Sequence, residues 1–162
     1  GHAAAQYNLG WMYLNGRGVA QDYQVAVHWF QLAAEQRHTV AQCKIGRMYE
    51  QGRGVAQNDQ TAVYWYRLAA GEGHADAQFN LGRMCFHGLG IAKDDQAAFH
   101  WFQLAAEQGI AVAQCNLGRM YLNGRGVAQD DQAAFHWYQL AAEQGHADAK
   151  RDLMLATIFG EL

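Results

Sequence analysis

The residues able to do chemistry in this 162-residue chain fall into registers separated by multiples of 36 positions. His2, His38, His74 and His146 share one register, and His28, His100 and His136 share another. Cys43 and Cys115 share a third, and Arg47, Arg83 and Arg119 a fourth. A shared metal ion needs His nitrogens about 2 Å from it, whereas equivalent residues of stacked helices stand about 10 Å apart. The His residues therefore read as solvated or helix-capping groups, with no metal and no cofactor expected. Serine is absent, which removes a Ser nucleophile and any Ser-His-Asp triad. Cys43 and Cys115 lie two repeats apart, about 20 Å, beyond the roughly 7 Å Cα separation a disulfide allows. Neither has a base at a recognisable spacing, so catalysis is not expected. Cys85 replaces a Tyr of the other copies and reads as a small core hydrophobe. Three unpaired thiols favour a reducing, cytoplasmic compartment.

The elements that carry these residues form a tandem array. A unit of 36 residues spans 1–36, 37–72, 73–108 and 109–144, and a partial fifth spans 145–162. Unbroken periodicity of this length predicts one solenoid domain over 1–162, in which each unit buries its apolar face against its neighbours. In the first unit, Ala5, Leu9, Met12 and Tyr13 recur at helical spacing, as do Ala26, Trp29, Phe30, Ala33 and Ala34. Two amphipathic helices follow, near 3–15 and 22–36, making nine in all. Asn15-Gly16-Arg17-Gly18-Val19 lies between them as a turn. Asp22, Asn58, Asp94 and Asp130 stand where a side-chain oxygen caps the second helix. Without proline, the exit from each second helix falls to Gly73, Gly109 and Gly145. Arg37 takes that place once, which predicts local strain or a different geometry.

Gly10, Gly46, Gly82 and Gly118 stand inside the first helices, where glycine costs about 1 kcal/mol relative to alanine. Close approach of a large side chain offsets that cost. The expected partners are Trp29, Trp65, Trp101 and Trp137, with the paired alanines at 33–34, 69–70, 105–106 and 141–142 helping the close packing.

The recurring pattern Ala-x-Ala-Gln-x-Asn-Leu-Gly-x-Met-Tyr-x-x-Gly-x-Gly-Val, then Asp, Ala, Trp and Ala-Ala-Glu-Gln-Gly, resembles the Sel1-like repeat, a relative of the tetratricopeptide repeat, over 1–154. The fifth copy departs from it at Lys150, Met154 and Ala156. The resemblance implies an all-α, right-handed superhelix of helix pairs, with first helices lining a concave face that binds a protein or peptide. Between copies, the positions equivalent to 5, 9 and 10 hardly change, whereas those equivalent to 4, 7, 11, 14 and 15 vary. On the tetratricopeptide correspondence, Tyr7, Trp11, Leu14, Phe79, Phe86 and Leu122 become apolar anchors of the groove, with Arg47, Arg83 and Arg119 as a column among them. Aromatic and Arg side chains dominate binding energy when desolvated. The ligand this suggests carries apolar and acidic residues or a free C-terminal carboxylate. The competing reading pairs the arginines with acids such as Asp76 or lays them over rings.

Charge and composition narrow the partner. Lys and Arg total 12 against 15 acids, a net charge of −3, which disfavours nucleic acid. No apolar run reaches the roughly 18 residues of a membrane span. The Gly-x-Gly turns lack the Lys and Ser/Thr of a phosphate cradle. The chain starts in register at Gly1 without Met, so a segment of a longer protein is expected, one from which an export signal could have been removed. The last helix carries Leu155, Ile158, Phe159 and Leu162 on one stripe. This makes a homodimer or end-to-end stacking the alternative function, beside an array with little selected specificity.

Overall fold

The computed structural model describes residues 2–159, with side chains as far as Leu155. Within them the chain forms nine α-helices of 13 residues and no strand. The first helices of the repeats are α1 (Ala3–Asn15), α3 (Thr39–Gln51), α5 (Ala75–His87), α7 (Ala111–Asn123) and α9 (Ala147–Phe159). The second helices are α2 (Tyr23–Glu35), α4 (Asp59–Gly71), α6 (Asp95–Glu107) and α8 (Asp131–Glu143). No helix among the described residues is long and apolar enough to cross a membrane.

Each hairpin closes by the same local chemistry. After α1, Gly16 takes φ 65° and Gly18 φ 71°, and the N–H groups of Arg17 and Asp22 donate to Met12 and Tyr13 carbonyls at 3.0 Å. Asp22 then accepts from the N–H groups of Gln24 and Val25, and Asn58, Asp94 and Asp130 accept from Thr61, Ala97 and Ala133, all at 2.9–3.0 Å. The predicted caps are thus formed, each satisfying N–H groups that a helix start leaves open. His38, His74 and His146 cap the following first helices, their Nδ1 accepting from Ala41, Ala77 and Ala149.

At the exits, Gly73, Gly109 and Gly145 adopt φ of 85–87°, and Arg37 adopts 64°. Arg37 is the one non-glycine residue with positive φ among the described residues. The hydrogen bonds of its junction, Arg37 N–H to Ala34 and His38 N–H to Ala33, match those at Gly73, so the geometry is kept and the strain falls on Arg37.

Contacts divide the chain into two compact units, one formed by residues up to Ala77 with Leu89–Ile91, the other by Gln78–Gly88 with residues from Ala92 onward. The first is cored by Phe30, Ile45, Met48, Tyr66 and the paired alanines, the second by Leu81, Met84, Phe102, Leu117, Met120 and Tyr138, all at most 2 % exposed. Cys43, Cys85 and Cys115 are buried and unoxidised.

The partners of the mid-helix glycines correct the expectation. A Cβ on Gly10, Gly46, Gly82 or Gly118 would lie 2.8–2.9 Å from the ring of Phe30, Tyr66, Phe102 or Tyr138, one residue beyond each expected Trp. Successive helical residues point about 100° apart, so only one of two adjacent aromatics can face the first helix.

Candidate functional site

A cleft of ≈450 Å³ opens between α5 and α7 in the second unit. Its floor follows directly from Gly82. With no Cβ there, Phe102 of α6 packs against α5, and its ring centroid stands 5.8 Å from Phe79 and 6.3 Å from Phe86. Val112 of α7 adds an apolar wall, and Asn116 and Asn123 add amides.

Three guanidinium groups surround this floor, and none of the lining residues is acidic. Arg83 comes from α5. Arg119, from α7, reaches Asp152 of α9 at 2.7 and 2.8 Å and Asp148 at 3.7 Å. Burial acts to lower the Arg119 pKa, but the hydrogen bond to Asp152, together with the charges of Cys115, Asp152 and Tyr138, offsets it and the net shift is upward. Arg125, in the turn after α7, grips Asp95 with both nitrogens at 3.0–3.2 Å while its guanidinium carbon lies 4.1 Å from the centre of the Phe86 ring. Two of the three cations are thus held from outside the cleft by carboxylates that are not part of its wall.

Of the residues expected in a groove, Phe79, Arg83, Phe86 and Arg119 line this one cleft. Leu122 does not. It packs towards the core of α8 and α9 and borders a separate surface depression with Gln129 and Asp131. The cleft takes positions 7, 11, 14 and 15 from the earlier first helix and 4, 8, 11, 12 and 15 from the later one, whereas Leu122, at position 14 of α7, packs towards α8 and α9. Phe102, Asn116 and Arg125 line the cleft without having been expected there. The Arg of the Gly-x-Gly turn was the available signal, since it recurs in three of the four turns.

In the first unit, Tyr7 and Arg47 line a smaller cleft of ≈220 Å³ with Lys44, His74 and Asp76. Asp76 adds to this wall an acid that the larger cleft lacks, beside the cations of Lys44 and Arg47. Tyr7 stacks on His38 at 5.0 Å, and burial, with a smaller contribution from Cys43, pushes its hydroxyl pKa up. Burial and then Arg47 lower the pKa of Lys44. Trp11 and Leu14 pack instead on the core of α2 and α3, with Arg17 over the Trp11 ring at 5.0 Å. On α9, Leu155 is 41 % exposed. The side chains of Ile158 and Phe159, like Leu162, lie outside the described residues.

Among the described residues no three His, Cys, Asp or Glu side chains gather to hold a metal. The Cys115 thiol is 1 % exposed, and burial pushes its pKa up to about 11, the opposite of an activated nucleophile.

Four consecutive copies of the Sel1 repeat match the chain at 3–38, 39–74, 75–110 and 111–146, the same period counted from the first helical residue. The chain is similar in structure to a protective antigen present in uropathogenic Escherichia coli strains that displays an SLR fold (41% identity, TM-score 0.96, 99% of this chain and 34% of that one). It is also similar to a Sel1 repeat protein from Oxalobacter formigenes (35% identity, TM-score 0.90, 98% of this chain and 65% of that one). Helicobacter pylori cysteine rich protein B shares the fold at 21% identity and TM-score 0.60, over 76% of this chain and 95% of its own. The chain therefore spans about a third of the length of the first of these and under two thirds of the second. No curated protein sequence matches it.

Proposed function

The chain belongs to the Sel1 repeat family, whose members serve generally as non-enzymatic protein-interaction scaffolds, and from that premise we propose that it is a non-catalytic adaptor holding a peptide segment in the α5–α7 cleft. The ligand offers a large apolar side chain with a carboxylate beside it, either an acidic residue or the C-terminal group.

One observation carries this reading. Phe79, Phe86 and Phe102 form an apolar floor, Arg83, Arg119 and Arg125 surround it, and no lining residue is acidic. An apolar anchor gains by leaving water, at about 25 cal/mol per Å² buried. A carboxylate gains charge-assisted hydrogen bonds from guanidinium groups that present their donors in a fixed fork. Because the cleft is built on helices packed through Gly82, little ordering of the protein accompanies association.

The test is a peptide array of varied C-terminal and internal acidic-apolar motifs, probed with the wild type, Arg83→Glu and Phe79→Ala. Selective binding that both substitutions weaken supports the proposal. An array bound identically by Arg83→Glu ends it.

A further inference from the structure

A second cleft, of ≈420 Å³, lies in the first unit between the C-terminal ends of α2 and α4, and its wall contains a buried acceptor with nothing to accept from. Gln42 is 4 % exposed. Its Nε2 donates to the Ala34 carbonyl at 3.1 Å, which fixes the amide orientation and leaves Oε1 without a partner.

The repeat explains why. Gln78 and Gln114, in the same register, accept through Oε1 from Gln108 and Gln144 at 2.7 and 2.8 Å, and Gln6 accepts from Gln36. The residue in register to serve Gln42 is Glu72. A carboxylate has no proton to give, and Glu72 pairs instead with Arg37. A buried carbonyl left this way keeps the cost of losing water with no hydrogen bond to offset it.

The rest of the wall indicates what would supply the donor. Glu35 and Glu72 outnumber Arg37, leaving the lining net negative. Tyr64, 56 % exposed, and Leu68, 38 % exposed, present apolar surface beside Trp65. The other repeats place His28, His100 and His136 where Tyr64 stands. An N–H donor, a positive charge and a methylene stem are thus called for together.

We propose that this cleft binds a primary alkylammonium group, its N–H donating to Gln42 Oε1, its charge facing Glu35 and Glu72, and its methylenes lying along Leu68 and the Tyr64 ring. Such a group belongs equally to a free diamine and to a lysine side chain of a partner protein.

The experiment is an NMR titration of the chain with cadaverine and, separately, with Nα-acetyl-lysine amide, following the Gln42 side-chain amide and the Trp65 indole, with 1-pentanol as the uncharged control. Glu72→Gln is the test variant, because it returns the donor that the other repeats have and removes a charge without opening a cavity. The expected result is saturable binding of at least one amine, weakened about tenfold or more in Glu72→Gln, while that variant unfolds at a higher temperature than the wild type. Binding of both amines assigns the cleft to lysine side chains, and binding of cadaverine alone assigns it to free diamines. Three results overturn the proposal: no saturable shift with either amine, equal shifts with 1-pentanol, or undiminished binding by a folded Glu72→Gln.

Discussion

The ring of Phe102 lies so close to Gly82 that a Cβ there would stand 2.8 Å from it, nearer than carbon atoms pack. The same contact sets the helix spacing and lays the floor of the α5–α7 cleft. Gly82→Ala gains about 1 kcal/mol of helix propensity but overpacks the ring at a cost of about 1–3 kcal/mol, for a net loss of up to about 2 kcal/mol in urea unfolding. Gly82→Leu loses more and melts at least its own repeat. Trimming the ring tests the cause: in the double variant Gly82→Ala with Phe102→Leu, the two losses should sum to clearly more than the measured one. Strict additivity would show that the ring is not what excludes the methyl.

The turn glycines separate two costs that are normally confounded. Gly126 and Gly18 hold nearly the same φ, 70° and 71°. A Cβ on Gly126 meets the Asp95 carbonyl oxygen at 2.1 Å, whereas on Gly18 the nearest atom is Met12 Cε at 3.4 Å. Gly18→Ala should therefore lose only the left-handed strain, about 1–2 kcal/mol, and Gly126→Ala at least about 2 kcal/mol more, because backbone cannot rotate out of the way. Equal losses in chemical denaturation would refute the inter-repeat contact.

Much of this was legible beforehand. The helix limits, the caps at Asp22, Asn58, Asp94 and Asp130, and the cost of a helical Gly82 all follow from local rules, since each concerns groups a few residues apart. The Trp or the residue after it as the glycine's partner did not follow, because both are large, aromatic and apolar, and one step of helical rotation decides between them. The second glycine of each turn read as a turn residue, although Gly54, Gly90 and Gly126 also touch the backbone of the preceding repeat at Tyr23, Asp59 and Asp95. Leu122 was misplaced for a related reason: a variable position identifies a surface, but not which of two neighbouring gaps it faces.

Asp152 occupies Arg119 much as a ligand carboxylate would. Its side chain is 17 % exposed and its partner's 40 %, so the pair holds a guanidinium that a peptide acid must otherwise share. Asp152→Asn should raise affinity for an acidic ligand by about two- to fivefold and loosen α9, the latter visible as faster amide exchange over Ala147–Leu155. Unchanged affinity with faster exchange would make Arg119 a purely structural residue.

Alkaline pH tests the second unit's core. Burial holds the Cys115 thiol pKa at about 11, whereas a cysteine in an unfolded chain ionises near pH 8.5. Between those values the unfolded chain releases the proton first. The stability from keeping the thiol neutral is therefore complete below about pH 8.5 and is lost as pH rises to about 11, on the order of 3 kcal/mol. Burial raises the Tyr138 hydroxyl pKa in the same direction. Denaturation midpoints across this range should fall less steeply for Cys115→Ala than for the wild type, and parallel curves would contradict the assignment.

The most direct test of the cleft is calorimetric titration with two peptides identical except at the end, one finishing in Leu with a free carboxylate and the other in Leu amide. The account predicts measurable binding of the acid, at least about tenfold weaker binding of the amide, and loss of that difference in Arg83→Glu. Equal affinities for acid and amide, or a preference that survives Arg83→Glu, would contradict it.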